Sequence, residues 1–442
     1  MINVLFVAWE FPPLTAGGVQ RPLYFIKYLQ QFNINPIVVT VEDYGSYGKL
    51  DETLLKEIPE SVTVERIKCN ITYPSNRLAK WANTYLQVVD NHASWWQPYI
   101  QEEVARIIAK YEPQAIYVTI PPFSMAPLWT AIAKKYKLPL VLDFRDAWSQ
   151  WIKTAFGSWF HYKAMVSLEG KCIRRANKLV CTSPQIAADL KRVHPSLTDD
   201  KISIITNGFD GEINAWTWQK KSLAKAKFVI GYVGSFYYKP ELRATLFNPW
   251  WKKAPHRMIQ YSPRKEDWLY RSPYFFFKAV AALLKEFPCY KERLSIKFAG
   301  TKDDWIDDQI ALFGLQDNCE FVGFLNHDEV IKFQHACDAL LLTSSKVIGG
   351  RDYSIAGKTY EYFTIGKPIV GFVCEGAQKD ILEPSGVSVI CDPDDEKQAA
   401  GQLKLLFDGK IDLTPNYAYM NSFGRKILAE KLSVVMKSVM VK

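Results

Sequence analysis

The sequence predicts an α/β protein built from two doubly wound parallel-sheet domains. Short apolar runs alternate with helix-period segments from end to end, the pattern of parallel strands joined by crossover helices. The runs fall into two sets, one in each half, and 442 residues are too many for one ordinary core.

In the first half the predicted strands are 3–8, 36–41, 115–119, 138–143, 178–182 and 202–206; in the second they are 228–233, 294–299, 319–322, 339–343, 368–373 and 387–391. The first run has no basic residues before it and is closed by Glu10, so it reads as a strand and not as a secretion signal. Gly17-Gly18 follows it as a turn into a helix beginning near Val19, where glycines let the backbone approach a phosphate or sugar. The Gly-x-Gly-x-x-Gly spacing of a dinucleotide site is absent. Past Asn207-Gly208 the chain turns polar and loses sheet pattern, which sets the predicted domains at 1–208 and 209–422, with 423–442 as a closing segment. Ile427, Leu428, Leu432, Val435, Met436 and Val439 recur there at helical spacing. A stretch at about 240–270, with Trp250-Trp251-Lys252-Lys253, His256-Arg257 and Arg264-Lys265, interrupts the second half and reads as an inserted loop.

Composition narrows the function. The hydrophobic share of 48% and charged share of 23% belong to an ordinary globular protein. The formal charge of +9 favours anionic partners, and nucleic acid ranks last among these because no helix-turn-helix, finger or RNP-like pattern occurs. No two of the eight cysteines form a Cys-x-x-Cys pair, which predicts reduced, buried thiols in a cytoplasmic protein and no zinc. No run is long enough to span a bilayer, so any membrane contact is expected to be peripheral.

The segment 356–370 is the most telling. It reads as a loop, a short helix, a glycine stop and a buried strand. Gly357 and Lys358 at the helix start combine free backbone N–H groups, the positive helix end and a cation, and Thr359 follows them. One turn on, Glu361 can accept hydrogen bonds from the paired hydroxyls of a ribose. Diphosphate and ribose together mean a nucleotide.

This segment resembles the Gly-Lys-x-x-Glu-Tyr motif of the retaining family-four glycosyltransferases. Phe11-Pro12-Pro13, Gly17-Gly18-Val19-Gln20-Arg21, Asp143-Phe144-Arg145-Asp146-Ala147-Trp148, Thr206-Asn207-Gly208 and Gly231-Tyr232-Val233-Gly234-Ser235 fall in the family's order along almost the whole chain. The resemblance implies a GT-B fold, in which two Rossmann-like domains face a cleft and the C-terminal helix crosses back to the first. It implies transfer of a sugar, without metal or other cofactor, from a nucleoside diphosphate sugar, with uridine the commonest base in the family. The implied acceptor is a cell-surface polysaccharide or lipid-linked glycan precursor, and the implied location is the cytoplasm or the inner face of its membrane.

By the same resemblance Gly17, Gly18, Gly234, Ser235, Gly357, Lys358, Thr359 and Glu361 line the donor site, the Gly17-Gly18 loop lying beside either the donor diphosphate or the acceptor. Lys239 or Arg271 takes the phosphate-binding cations' part. Asp143, Arg145 and Asp146 are the catalytic candidates, with a structural ion pair the alternative for the first two. Many relatives carry a sugar-contacting Glu eight positions before the ribose-binding one; Tyr353 stands there, with Arg351 and Asp352 beside it. That departure keeps open a non-catalytic nucleotide-binding scaffold and a sugar-nucleotide epimerase. Two aromatic and basic stretches, Trp81 to Tyr99 with Tyr85, Trp95 and Trp96, and Trp148 to Arg175 with Lys153, Trp159 and Phe160, fit either a membrane-facing surface or buried packing.

Overall fold

The computed structural model describes residues 1–440 except Ser46, Leu86, 152–154, Thr217, 221–226, Pro255 and His256, and it leaves out the side chains of Thr84 and Tyr85. Lys153, His256 and the Tyr85 side chain therefore lie outside the described residues. The chain divides into two compact units. The first comprises Met1–Asp210, Ala254–Pro263 and the chain from Gly424; the second comprises Gly211–Lys253 and Arg264–Phe423.

The first unit is built on strands β1 (Ile2–Val7), β2 (Ile34–Val41), β3 (Thr63–Ile67), β4 (Ala115–Ile120), β5 (Leu140–Phe144), β6 (Lys178–Cys181) and β7 (Ile202–Ile204). They pair in parallel in the order β3-β2-β1-β4-β5-β6-β7. Residues 4–7 of β1 and all of β4 are buried, as strands covered on both faces must be. β3 escaped the sequence reading because it is an edge strand of Thr-Val-Glu-Arg-Ile whose first four residues are only half-buried. Its Glu65 faces the helix His92–Tyr111, accepting from Arg106 at 2.8 Å and from the Tyr111 hydroxyl at 2.6 Å.

β7 stops before Ile205 and Thr206 because their carbonyls serve another partner. Arg21, on the helix Gln20–Leu29, donates to both, at 2.8 and 2.9 Å, and to Asn207 Oδ1 at 3.3 Å. The same guanidinium grips Asp143 of β5 through two bonds of 2.7 and 2.8 Å, and the Tyr117 hydroxyl of β4 donates to Asp143 at 2.5 Å. Burial and the adjoining carboxylate push the Tyr117 hydroxyl well above its ordinary pKa. One ion pair thus ties the first helix to two central strands and to the end of the sheet.

The C-terminal helix Arg425–Ser438 completes this unit. Leu428, Ala429, Leu432, Val435 and Met436 join Leu23, Ile26 and Leu29 of the first helix in one buried cluster, whereas Ile427 is 40% exposed and points away from it. At its start Arg425 bonds Asp210 at 2.6 Å and the Gly208 carbonyl at 3.2 Å, and the Tyr28 hydroxyl also donates to Asp210.

The second unit holds β8 (Phe228–Val233), β9 (Lys265–Asp267), β10 (Leu294–Ala299), β11 (Cys319–Gly323), β12 (Ala339–Thr343), β13 (Lys346–Ile348), β14 (Ile369–Phe372) and β15 (Ser388–Cys391). Its parallel sheet runs β11-β10-β8-β12-β14-β15, while β9 and β13 form a separate antiparallel ribbon. The predicted insertion is therefore not a structureless loop. It contains a helix, Pro240–Phe247, whose Arg243 grips Asp267 of β9 at 2.6 and 2.7 Å, then β9 itself and a 3-10 turn, Trp268–Arg271, capped by Asp267. Its residues 254–263 belong to the first unit, where Tyr261 exchanges backbone hydrogen bonds of 2.8 and 3.0 Å with Phe156. Helical and short-ribbon periods side by side leave no sustained pattern for a sequence reading to find.

The Arg21–Asp143 pair sets a stability prediction. Asp143→Ala strands a buried guanidinium and is expected to cost about 3–5 kcal/mol, read as a lower denaturation midpoint that Asp143→Asn lowers less.

Candidate functional site

Open parallel sheets bind ligands beyond the carboxyl ends of their strands, where the strand order reverses direction. In the second unit that point lies between β8 and β12. Gly234 ends β8 with φ of +110°, a conformation side chains rarely adopt, and a Cβ there would come within 3.2 Å of Lys358 Nζ. Lys358 opens the helix Lys358–Ile365, donates to the Val233 carbonyl at 2.6 Å and lies 3.7 Å from the Tyr232 ring centre. No carboxylate pairs with it among the described residues. Burial lowers its pKa to about 7, Glu361 opposing and the Arg271 charge reinforcing the shift.

Around this ammonium the surface is ready for an anion. The backbone N–H groups of Gly357 and Lys358 bond no described residue, and nothing lies within 4 Å of the space beside Gly357. Thr359 faces inward, its hydroxyl donating to Gln378 at 3.1 Å. Glu361 is exposed, and its carboxylate bonds no described residue. Arg271 enters from the insertion, and the terminal nitrogens of its guanidinium bond no described residue. Ser235 and Lys239 are both exposed, and Lys239 shares no ion pair with this group among the described residues. Tyr353 is buried, Arg351 turns to Asp380 at 2.6 Å, and Asp352 is buried facing Arg271 and Glu266. Burial raises the Asp352 carboxyl, Arg271 opposing and Glu266 reinforcing.

In the first unit the order reverses between β1 and β4. Gly18 passes directly over an ion pair here, Arg145 Nη1 to Glu10 Oε2 at 2.7 Å; a Cβ on Gly18 would fall 1.4 Å from the first atom and 1.7 Å from the second. Gly17 is exposed with open space beside it. Of the three catalytic candidates, Asp143 has no exposed surface and is saturated by Arg21 and Tyr117: it is in an ion pair, but with Arg21 and not with the Arg145 of its own motif. Arg145 is held by Glu10 and the Pro121 carbonyl. Asp146 is half-buried, and its carboxylate bonds no described residue.

Sequence reasoning missed a histidine at this edge. His92 Nδ1 meets Asp90 at 2.7 Å and its Nε2 meets the Tyr47 hydroxyl at 2.9 Å, with the Trp9 and Trp95 rings each 4.9 Å away. Asp90 also accepts from Phe123 N at 2.7 Å and from the Ser124 hydroxyl at 2.5 Å. Burial works to raise the Asp90 carboxyl, but His92 and the Ser124 donors outweigh it and hold it below the usual range. A charged Asp90 fixes the His92 proton on Nδ1 and leaves Nε2 to accept. Only the spacing Asp90-x-His92 hinted at this, in a stretch without strand or helix pattern.

The description "Glycosyl transferases group 1" matches residues 271–426 and "Glycosyltransferase Family 4" matches residues 17–212, so together they span most of the chain. The glycogen synthase of Mycobacterium tuberculosis is 21% identical over 361 residues, covering 78% of this chain and 72% of that one. Among solved structures, the lipopolysaccharide outer core galactosyltransferase WaaB aligns over 99% of this chain and 100% of its own with a TM-score of 0.60 at 13% identity. Sucrose-phosphate synthase from Thermosynechococcus elongatus aligns over 99% of both chains with a TM-score of 0.58 at 12% identity. The chain belongs to the group 1, family 4 glycosyltransferases and has their GT-B fold. It is a retaining transferase that takes its sugar from a nucleotide sugar.

Two predictions follow from the geometry. Gly18→Ala drives a methyl group into the Glu10–Arg145 pair and is expected to lower transfer at least tenfold, on the order of the loss a misplaced site group causes, with nucleotide binding to the second unit unchanged in titration calorimetry. Because an anion stabilises the charged form of Lys358, diphosphate affinity should be greatest below about pH 7, the Lys358 pKa in the free protein, and weaken as pH rises above it. Titrations across pH 6–9 check this, and Lys358→Met should lose the part of the dependence that the ligand's own titration does not explain.

Proposed function

We propose that this protein transfers a hexose from a uridine diphosphate sugar, bound by the second unit, to a hydroxyl of a cell-surface polysaccharide or lipid-linked glycan precursor, bound by the first. The observation that carries the donor half is the pair of cations, Lys358 and Arg271, beside helix-start N–H groups and a Glu361 carboxylate that bond no described residue. A diphosphate supplies an anionic partner for Lys358 and for the outer edge of Arg271, and a ribose supplies hydroxyls that can donate to Glu361.

Chemically, the sugar–phosphate bond breaks as positive charge gathers on the sugar and negative charge on the departing diphosphate. Lys358, Arg271 and the N–H groups of Gly357 and Lys358 stabilise that charge without a metal ion. Retention has the acceptor hydroxyl attack from the face the diphosphate leaves, its proton passing to the departing phosphate oxygen as the new bond to the sugar forms. Gly234 keeps the strand end clear for Lys358, while Ser235 and Lys239 line the outer rim. On the acceptor side, Gly17 and Gly18 keep the backbone close, and Asp146, Arg145 and the Tyr47 oxygen, held in place by His92, hydrogen-bond acceptor hydroxyls.

Exposed apolar residues beside cations support a lipid-linked acceptor at the inner face of the cytoplasmic membrane. Phe160 is 76% and Trp159 47% exposed, with Lys163 over the Trp159 ring, and Leu78 and Trp81 stand out from a helix that also carries Arg77 and Lys80. Trp95, Trp96, Trp148 and Tyr162 of the same stretches are buried and serve packing. Among the described residues no helix is long and apolar enough to cross a membrane.

Thermal stabilisation by nucleoside diphosphates and their sugar conjugates tests the donor site. UDP at a hundredfold excess over its Kd should stabilise the wild type by about 2.7 kcal/mol and Glu361→Ala markedly less. A shift by GDP instead would replace the base, and no shift by any nucleotide would sink the donor-site reading.

A further inference from the structure

The insertion places a carboxylate where neither the donor motif nor the acceptor side needs one. Glu266, on β9, has a fully buried side chain. Its Oε1 accepts from the Ser345 hydroxyl and lies 3.4 Å from Arg271 Nε, which itself donates to the same Ser345 oxygen. Its Oε2 has no partner among the described residues.

The ribbon explains how the three meet. Val347 of β13 pairs with Glu266, and Ser345 directly precedes β13. The 3-10 turn that follows β9 then returns Arg271 to the same spot, where the Thr343 hydroxyl holds its carbonyl at 2.8 Å. Burying a charged pair is costly, and its presence is weak evidence of a gain in stability. Here the pair occupies only the Nε edge of the guanidinium. The two terminal nitrogens, the fork that matches a phosphate, bond no described residue.

We infer that Glu266 is a positioning residue for the transfer: with Ser345 it fixes the inner edge of Arg271 so that the open fork faces the diphosphate of the donor. This rests on the donor-site reading above. Asp352 shows what Glu266 prevents. It is buried, faces Arg271, and its Oδ2 has no partner among the described residues, so a guanidinium released by Glu266 has a competing carboxylate to turn to. The insertion is thereby part of the donor site, although its sequence carries no donor motif.

Titration calorimetry with UDP and UMP on the full chain tests this. Glu266→Ala should weaken UDP about tenfold, a coupling within the range of contacting residues, and leave UMP, which lacks the outer phosphate, within about twofold of wild type. Glu266→Gln keeps an acceptor for Ser345 and should recover most of the loss. Adding Glu266→Ala to Arg271→Ala should cost nothing further. Should Glu266→Ala not fold, Ser345→Ala removes the shared hydroxyl and is read in the same way. Equal losses of UDP and UMP, additive losses in the double variant, or wild-type UDP affinity in Glu266→Ala would each overturn the inference alone. A wild type that binds neither UDP nor GDP overturns the donor-site reading and this inference with it.

Discussion

Parallel strand pairing is the constraint on which the rest of this structure depends. Strands that all point one way place every strand-to-helix loop at the same edge of their sheet, so residues far apart in sequence converge there. In the second unit that edge gathers Gly234, Ser345 and the start of the Lys358 helix; in the first it gathers Glu10, Gly18, Ser124 and Arg145. The helices that pack the sheets also aim their N-termini at this edge. The same arrangement that buries the strands therefore supplies a concentrated set of donors and cations.

Two kinds of buried charge result, and they do opposite things. The Arg21–Asp143 pair is complete. Every oxygen and most of the guanidinium nitrogens are satisfied, and its role is to hold one helix and two strands in register. Lys358 and the outer edge of Arg271 are incomplete, cations that the protein keeps close to each other although they repel. A site of that kind is stable only because the surrounding fold is, and it gains most from a ligand with two adjacent negative groups.

Much of the fold was legible because its signals are local. β8, β10 and β12 were bounded to the residue, since β8 and β12 are almost wholly apolar, β10 alternates apolar residues with Ser295 and Lys297, and each is followed at once by glycine or serine. β3, β9 and β13 were not, because edge strands and short ribbons alternate weakly and contain Glu, Arg, Lys and Asp. For the site, Gly18, Lys358 and Glu361 could be singled out from motif spacing. Glu266 and the Asp90–His92–Tyr47 set could not, since tertiary pairing alone brings them to their partners. Asp143 shows the remaining limit: a carboxylate at a strand end reads the same in sequence whether it faces a ligand or a buried arginine.

The division of the first unit between the two ends of the chain bears on how the molecule is made. The helix Gln20–Leu29 is covered by Leu428, Leu432 and Met436, which leave the ribosome some four hundred residues after it. During synthesis its apolar stripe stays bare while the whole second unit, Gly211–Lys253 and Arg264–Phe423, is translated and can already close its own core. The usual order, in which the N-terminal domain of a nascent chain folds first, is thereby reversed for its final step. The first unit can therefore close this part of its core only after the second has been made.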